Sequence, residues 1–327
     1  MKNHGQQHDS YSYDQKNQAF LLFGYKIFFN IGLGEHDVFA LKYNHIRLVR
    51  RGLFLQKLYM RRFLMPVLLC YIVSGCSTNN VNEDESLKTY FDSAAVKGCF
   101  ALFNNGENNF TVCNLNRYRD SSYTPAATFD IVNSLIGIQT GAIRDENMVV
   151  RWDGIKREDD EWNRDLTMKE AFAVSSVPYF QEVTRRIGRD TMKIWIDSLG
   201  YGNRNMSGPI DSFWITNRLK IKPDEELGLA KKLYFDQLPF FKHTQDIVQS
   251  VMLREQNSNY KLSYKTGWGS LENGHEMAWV VGWIEENKHP YFFVLNIETP
   301  EPGRVQGVCV KLLREILARL GFFNGKK

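Results

Sequence analysis

The stretch that decides the fold is SSYTPAATFDIVNSLIG, Ser121 to Gly137, because it marks the start of a buried helix. Pro125 ends the incoming segment, and Gly141 follows where a helix of this length can stop. Between them, apolar residues recur at near-helical spacing at Phe129, Ile131, Val132, Leu135 and Ile136. The pattern predicts a helix from about Ala126.

Strands are predicted on both sides of this helix. Two precede it, in KGCFALFNN and NNFTVCNLN, and three follow, in YKLSYKTGWGS, EMAWVVGWIEEN and HPYFFVLNIET. Helical patterns occupy residues 166–200, with a break near Ser175–Pro178, and residues 223–240, 243–256 and 306–323. We therefore predict an α+β domain, in which strands from both chain ends and the last helix share one antiparallel sheet beside a helical subdomain.

The composition is that of an ordinary globular protein. The 327 residues are 43% hydrophobic and 24% charged, with a formal net charge of +4. A nucleic-acid-binding protein would show a concentrated basic face, so the composition gives no argument for that partner. Aromatic residues make up 13% of the chain, which is enough for one large core.

The N-terminal part carries a processing pattern. Residues 60–76, MRRFLMPVLLCYIVSGC, have two arginines, a short apolar run and an ending that resembles a bacterial lipobox. We predict a lipoprotein signal peptide with Cys76 as the lipidated first residue, after an upstream extension, residues 1–59; an uncleaved N-terminal anchor is the alternative. A polar tether, residues 77–86, then leads to the domain, residues 87–327. The protein is expected to be exported and anchored to the bacterial envelope, facing the periplasm.

Three cysteines lie in the domain. Cys99 and Cys113 flank a predicted hairpin that turns at Asn105-Gly106. A two-residue turn puts Cys99 opposite Val112, whereas a longer, odd-length loop puts it opposite Cys113. A disulfide and a pair of buried free thiols both remain open, and the third thiol, Cys309, has no metal-like spacing to the others.

Four short segments occur in a particular order. They are PAATFD at 125–130, SSV at 175–177, YGN at 201–203 and KTGWG at 265–269. Together with FWI before LKI, and QLPF, they resemble the class D, oxacillinase-type, serine β-lactamases over roughly residues 91–327. The resemblance implies the β-lactamase and penicillin-binding-protein transpeptidase fold, and hydrolysis of β-lactams through an acyl-enzyme.

The resemblance also implies roles for single residues. Ser175 matches a proton relay, although a serine bonding to its own helix is the plainer interpretation. Lys265 directs positive charge towards a substrate carboxylate, against the alternative of a solvated strand charge. Trp214 matches an indole donor to a carbamylated lysine, against simple core filling. The substrate-binding positions implied are Val177, Thr266, Gly267, where a glycine lets an acyl chain approach the backbone, and Trp268.

The first motif departs from the family pattern. The family has Ser-x-x-Lys, whereas this chain has Ala127 at the nucleophile position and Asp130 at the lysine position. The family lysine is carbamylated by carbon dioxide, so with the lysine absent we expect no cofactor, and no metal is implied. Thr128 is one residue off and should point elsewhere. Asp130, if buried, needs a partner, for which Trp214, Ser175 or water are the candidates.

A third departure concerns the arginine that binds the substrate carboxylate in the family. The best-aligned position is Cys309, and Arg304 is nearby but out of register. The sequence therefore predicts a class D β-lactamase relative with impaired or absent hydrolysis. The alternative is a non-hydrolytic envelope lipoprotein that binds β-lactam or peptidoglycan-like ligands.

Lipidation at Cys76 is testable on the native protein. Intact mass and N-terminal sequencing should show a chain that begins at Cys76 and carries acyl groups, and Cys76→Ala should lose the membrane association that acyl chains provide. A full-length chain that starts at Met1 would contradict the signal-peptide prediction.

Overall fold

The computed structural model describes residues 80–327, which belong to one compact unit. The predictions for residues 1–59 and for the signal peptide with Cys76 lie outside the described residues. Within residues 80–327, no helix is long and apolar enough to cross a membrane.

A seven-stranded sheet forms the centre of the domain. Its strand order is β1-β3-β2-β9-β8-β7-β6, and a separate two-stranded sheet pairs β4 with β5. Every pair in the large sheet is antiparallel except β1 with β3, so the predicted α+β fold is confirmed with one parallel pair that was not predicted. The strands are β1 Val81–Glu83, β2 Lys97–Asn104, β3 Asn109–Cys113, β4 Val149–Val150, β5 Leu166–Thr167, β6 Leu253–Gln256, β7 Tyr260–Ser270, β8 Glu276–Glu286 and β9 His289–Thr299.

The helices cover both faces of the large sheet. They are α1 Lys88–Ser93, α2 Leu115–Asp120, α3 Asp130–Thr140, α4 Met168–Ala173, α5 Val177–Ile187, α6 Arg189–Leu199, α7 Pro223–Tyr234, α8 Lys242–Met252 and α9 Arg304–Arg319. A 3₁₀ turn, Ala126–Phe129, precedes α3 and carries most of the first motif.

Side chains of successive strand residues point to opposite faces of the sheet, so the hydrophobic core has two halves. Phe100 and Val280 face α1 and α9, whereas Ala101 and Val281 face the larger helical layer. Cys309 belongs to the α9 side, where it is almost fully buried. It therefore lies on the opposite face of the sheet from α3, the helix that follows the first motif. The fold does not place position 309 beside that motif, where the sequence alignment had expected a ligand-binding arginine.

The predicted tether is wrong for the described part of residues 77–86. Strand β1 pairs with β3, because Phe110 donates its N–H to the Asn80 carbonyl and Asp84 donates to the Val112 carbonyl. The polar side chains of β1 carried no packing signal, since the strand is held by backbone hydrogen bonds and its side chains stay largely exposed.

Of the two alternatives for Cys99 and Cys113, the buried free thiols are confirmed and the disulfide is wrong. Asn104 pairs with Asn109 across a four-residue loop, so Cys113 faces Phe100 rather than Cys99. Neighbouring positions on a strand point to opposite faces, and the two cysteines accordingly lie in different halves of the core. All three described cysteines are free.

The helix predicted over residues 243–256 ends at Met252 instead. The next residues, Leu253–Gln256, pair with β7 as an edge strand, with a bulge at Arg254. Their sequence suits a helix, and the hydrogen bonds offered by the open edge of β7 override that propensity.

A Cβ added at two of the glycines, Gly282 and Gly228, would meet very different surroundings. A Cβ at Gly282 on β8 would lie 2.0 Å from the Ser263 carbonyl oxygen and 2.7 Å from the Tyr264 Cα, whereas a Cβ at Gly228 on α7 would meet nothing within 4 Å. Gly282→Ala should lower the free energy of unfolding by about 2 kcal/mol or more because backbone must move. Gly228→Ala, the control, should raise it by about 0.5–1 kcal/mol through helix propensity. Urea unfolding measures both, and equal effects would contradict the close approach of β7 and β8.

Candidate active site

The turn that carries the first motif is fixed by backbone contacts. Ala126 has a positive φ of 50°, which is strained for a residue with a side chain. Its N–H donates to the Trp214 carbonyl at 3.0 Å, and the Thr124 hydroxyl donates to the same carbonyl at 2.8 Å. The Trp214 stretch therefore holds the start of the turn, and Ala127 follows with its methyl group 7% exposed.

Gly267 on β7 packs directly against this turn. A Cβ at Gly267 would lie 2.8 Å from the Thr128 nitrogen and 2.9 Å from the Pro125 carbonyl oxygen. The sequence had suggested that this glycine leaves room for a ligand; the structure shows that it leaves room for the first motif itself. The KTG strand and the Ala127 turn are thus in van der Waals contact.

Asp130 and Lys265 form a buried ion pair. The Asp130 Oδ2 and Lys265 Nζ atoms are 3.1 Å apart, and the two side chains are 3% and 0% exposed. The angle does not make a hydrogen bond, so Oδ2 has no donor within the described chain. The partner that Asp130 has in the described chain is therefore Lys265, and the expected partners Trp214 and Ser175 were wrong. The solvated interpretation of Lys265 is also wrong.

Lys265 has two further polar contacts. Its Nζ donates to the Ser175 Oγ at 2.5 Å and to the Thr266 carbonyl at 3.0 Å, and it lies 5.3 Å from the centre of the Phe172 ring. Ser175 lies between α4 and α5 with a φ of 52°, so the prediction of a helix-interior serine is wrong. The relay residue and the KTG lysine are in contact, although a relay role stays a prediction.

Burial shifts both groups of the pair towards their neutral forms. Burial raises the pKa of Asp130 to about 6, and the Lys265 charge opposes that rise. Burial lowers the pKa of Lys265, with Asp130 opposing the change and Arg254 adding to it. At neutral pH we take Asp130 as ionised, because its pKa remains below 7.

A second buried carboxyl group lies behind the turn, and the sequence analysis missed it. Glu226 Oε1 accepts hydrogen bonds from the Thr128 hydroxyl at 2.8 Å and from the Tyr201 hydroxyl at 2.9 Å, while Oε2 has no partner in the described chain. Burial raises the pKa of Glu226 to about 7. The sequence does carry a signal for a buried Glu226, because Glu226 shares the apolar stripe of α7 with Ala230 and Leu233.

The hydrogen bonds to Glu226 explain the positions of two motif residues, Thr128 and Tyr201. The Thr128 hydroxyl also lies 2.8 Å from the Pro125 carbonyl, so it points away from the Ala127 side of the turn, as its position one residue off had predicted. Tyr201 of the YGN segment is buried against Phe129 and anchors Glu226, so it is more than a plain turn residue.

The tryptophans take different positions. Trp214 is buried and stacks on Phe129 with ring centres 5.6 Å apart; within residues 80–327 no hydrogen bond joins its indole to Asp130. Trp279 and Trp283 are core residues. Trp268 is 45% exposed beside Gly267, and its substrate-binding role stays a prediction. Val177 at the start of α5 and Thr266 are half-buried, and their substrate-binding roles stay predictions.

The arginine expected for a ligand carboxylate is missing from the site. Arg304 donates to the Ala94 carbonyl at 3.2 Å and pairs with Glu301. Arg254 is the arginine whose charge acts on Lys265, and its guanidinium carbon lies 5.8 Å from the centre of the Phe172 ring. Among the described residues, no cluster of histidine, cysteine, aspartate and glutamate suits a metal ion. A carbamate cannot form at Asp130, since the side chain has no amine.

Comparisons with known proteins agree with this geometry. A family model for the penicillin binding protein transpeptidase domain matches residues 92–317. Beta-lactamase OXA-5 of Pseudomonas aeruginosa is 34% identical over 248 residues, 75% of this chain and 92% of that protein. The crystal structure of the class D β-lactamase YbXI from Nostoc superposes with a TM-score of 0.69 and 33% identity, over 73% of this chain and 99% of that chain. The C-terminal domain of the Bacillus licheniformis BlaR penicillin-receptor gives a TM-score of 0.71 and 26% identity, over 76% and 99%.

The fold and the juxtaposed motifs define a protein of the penicillin-binding transpeptidase class. Within that class, the chain belongs to the class D β-lactamase family, which confirms the resemblance seen in the sequence. Its first motif and its carboxylate-binding position depart from that family's pattern, as described above.

Glu226 should make stability fall as the pH rises. The unfolded carboxyl ionises near 4.5 and the folded one near 7, so the unfolded state loses its proton first and gains relative stability over that range. Glu226→Gln should therefore raise the free energy of unfolding by about 1–3 kcal/mol at about pH 8 and change it little at about pH 5.

Urea unfolding across this pH range measures the effect. Glu315→Gln, a change of the same chemistry on the exposed side of α9, is the matched control. A decline with pH that is equally steep in Glu226→Gln and in the unaltered protein would show that Glu226 is not the group responsible. A shallower decline of the free energy of unfolding remains in Glu226→Gln, because Asp130 also ionises with a raised pKa.

Proposed function

We propose that this protein binds β-lactams in the pocket of its family but does not hydrolyse them through the family's acyl-enzyme. The observation that carries the proposal is the side chain at the nucleophile position, where Ala127 offers a methyl group. Loss of the nucleophile in a serine hydrolase costs about 10⁶ in kcat, and loss of the base adds little because the two act as a unit.

No neighbouring group replaces the missing chemistry. The Thr128 hydroxyl is fully buried and directed at Glu226 and the Pro125 carbonyl. The Asp130 carboxylate is occupied by Lys265 and is shorter than a carbamylated lysine, so its reach towards a water near Ala127 is less. Ser175 is the remaining hydroxyl in contact with Lys265, and it is the position at which an unexpected adduct would be sought.

Retention of the pocket is supported by the contacts around it. The Ala127 turn, the KTG strand and the Ser175 segment keep close mutual contact through Gly267 and Lys265. Trp268 is exposed next to that contact and offers an aromatic surface to a ligand.

The second candidate function is a non-hydrolytic envelope lipoprotein that holds β-lactam or peptidoglycan-like ligands. The likeness to the C-terminal domain of the BlaR penicillin-receptor favours a binding role. Covalent sensing of the acyl-enzyme kind would require the serine that Ala127 replaces, so the binding proposed here is noncovalent. Lipid anchoring at Cys76 belongs to the same proposal.

Penicillin hydrolysis by residues 77–327 tests the proposal, beside the double variant Ala127→Ser/Asp130→Lys in buffer with bicarbonate. The unaltered protein should show neither turnover nor a covalent adduct by mass spectrometry. The double variant should hydrolyse penicillin, with a rate up to about 10⁶-fold above the unaltered protein. Ala127→Ser alone is the matched control and should hydrolyse penicillin far more slowly than the double variant, since its serine lacks the lysine that acts with it.

Two outcomes would contradict the proposal. Turnover by the unaltered protein would show that Asp130 or another group carries the reaction, and adduct mapping on Ser175 would identify that serine as the nucleophile. Failure of the folded, unaltered protein to bind penicillin would show that the pocket of the family is not retained.

A further inference from the structure

Three short contacts join the buried carboxyl group of Glu226 to the turn of the first motif. The Thr128 hydroxyl lies 2.8 Å from the Pro125 carbonyl oxygen and 2.8 Å from Oε1 of Glu226. The Tyr201 hydroxyl lies 2.9 Å from the same Oε1 atom. Each distance is that of a hydrogen bond between two oxygen atoms, and each such bond needs one hydrogen. The three contacts therefore need three hydrogens.

The ionised form of Glu226 leaves one of these contacts without a hydrogen. The tyrosine and threonine hydroxyls supply one hydrogen each, whereas a carbonyl and a carboxylate only accept. Because a carboxylate is the stronger acceptor, both hydrogens are drawn to Glu226. The oxygens of Thr128 and Pro125 then face each other at 2.8 Å with no hydrogen between them.

The neutral carboxyl group completes the set of three bonds. A proton on Oε1 of Glu226 is donated to the Thr128 oxygen, and the Thr128 hydrogen is then free to bond the Pro125 carbonyl. The Tyr201 hydrogen stays on Oε1, which as a hydroxyl oxygen still accepts. Oε2 has no partner within residues 80–327, so a proton carried there would make no hydrogen bond. The hydrogen count therefore places the proton between Glu226 and Thr128.

The surroundings of Glu226 also favour the neutral form. The side chain is fully buried, and within the described chain no cation is among the groups that act on its carboxyl. These groups are the Thr128 and Tyr201 hydroxyls and the negatively charged Glu225 of the same helix. Burial and Glu225 both oppose a second negative charge at this place.

The bond between Thr128 and Pro125 closes the turn that carries Ala127. Ala127 lies between the two bonded residues, so its methyl group moves if they separate. The same two residues form the surface that Gly267 meets, since a Cβ at Gly267 would lie 2.8 Å from the Thr128 nitrogen and 2.9 Å from the Pro125 carbonyl oxygen. Opening of this bond therefore also disturbs the contact with the KTG strand.

We propose that Glu226 is a positioning residue of the ligand site, because its carboxyl proton supplies the hydrogen that keeps Thr128 bonded to the Pro125 carbonyl. Glu226 is buried behind the turn and acts on a ligand only through Thr128 and Ala127. Burial raises the pKa of Glu226 to about 7, so the bond opens as the pH rises through that value. The consequence for ligand binding rests on the proposed function, whereas the consequence for the turn does not.

The first measurement follows the turn without a ligand. The backbone amide signals of Thr128 and Gly267 are recorded by NMR from about pH 5 to about pH 9. Both should shift with a midpoint near 7 in the unaltered protein and in the exposed control Glu315→Gln. Glu226→Gln should lack this step, because its amide donates to Thr128 at every pH. A lower step from Asp130 remains in all three proteins.

The second measurement is the dissociation constant of benzylpenicillin by isothermal titration calorimetry, at about pH 6 and about pH 8.5. The unaltered protein and Glu315→Gln should bind more weakly at the higher pH. The change between the two pH values should be about tenfold larger in them than in Glu226→Gln, which corresponds to the loss of about one hydrogen bond.

Two variants of Thr128 cover the case in which Glu226→Gln does not fold. Thr128→Val has no hydroxyl, so the bond to Pro125 is absent at every pH, and penicillin binding should be weak at both pH values. Thr128→Ser keeps the hydroxyl and should restore the tighter binding at the lower pH. Equal binding by these two variants at the lower pH would contradict the inference.

The outcomes separate the inference from the function beneath it. If the step near pH 7 is missing from the unaltered protein, or persists undiminished in Glu226→Gln, the inference is wrong whatever penicillin does. If the step depends on Glu226 and the affinity for penicillin does not, the role in the ligand site is wrong. If the step depends on Glu226 and none of the folded proteins binds penicillin at millimolar concentration, the proposed binding function is wrong and the positioning of the turn stands.

Discussion

The ion pair between Asp130 and Lys265 is the interaction on which the candidate site depends. It joins the first residue of α3 to the middle of β7, so it ties the helical layer to the sheet at the point where the motifs meet. Both charges are buried, and removing one partner of such a pair is far more costly than removing both. Any change at either position therefore alters the geometry of the site as well as its charge.

The turn between these elements is held under strain from several sides. Ala126 has a left-handed backbone, Gly267 approaches within contact distance of the Thr128 nitrogen, and Glu226 places a second carboxyl group behind the turn. Strained backbone persists only where the surroundings over-determine it. The Trp214 carbonyl, which accepts from both Thr124 and Ala126, is the contact that most directly imposes this conformation.

Sequence patterns predicted the elements better than the contacts between them. The strands β7, β8 and β9 and the helix after Pro125 follow from periodicity, whereas the Asp130–Lys265 contact joins residues 135 positions apart and no local pattern reports it. Strand β1 was missed because backbone pairing holds most of it and only Val81 packs on the core. Glu226 could have been found, since a carboxylate on an apolar helical stripe needs a partner. The left-handed backbone of Ser175 between α4 and α5 could not, because no local pattern reports it.

Asp130 keeps the negative charge that the family has at this position, but not the length of the side chain. A carbamylated lysine is an anion, so the family presents a negative group beside the KTG lysine, and Asp130 keeps that sign while shortening the side chain. The buried lysine therefore retains a counter-ion, which accounts for an intact arrangement around it. What differs is reach, since the carboxylate of Asp130 extends less far towards Ala127 than one at the end of a lysine side chain.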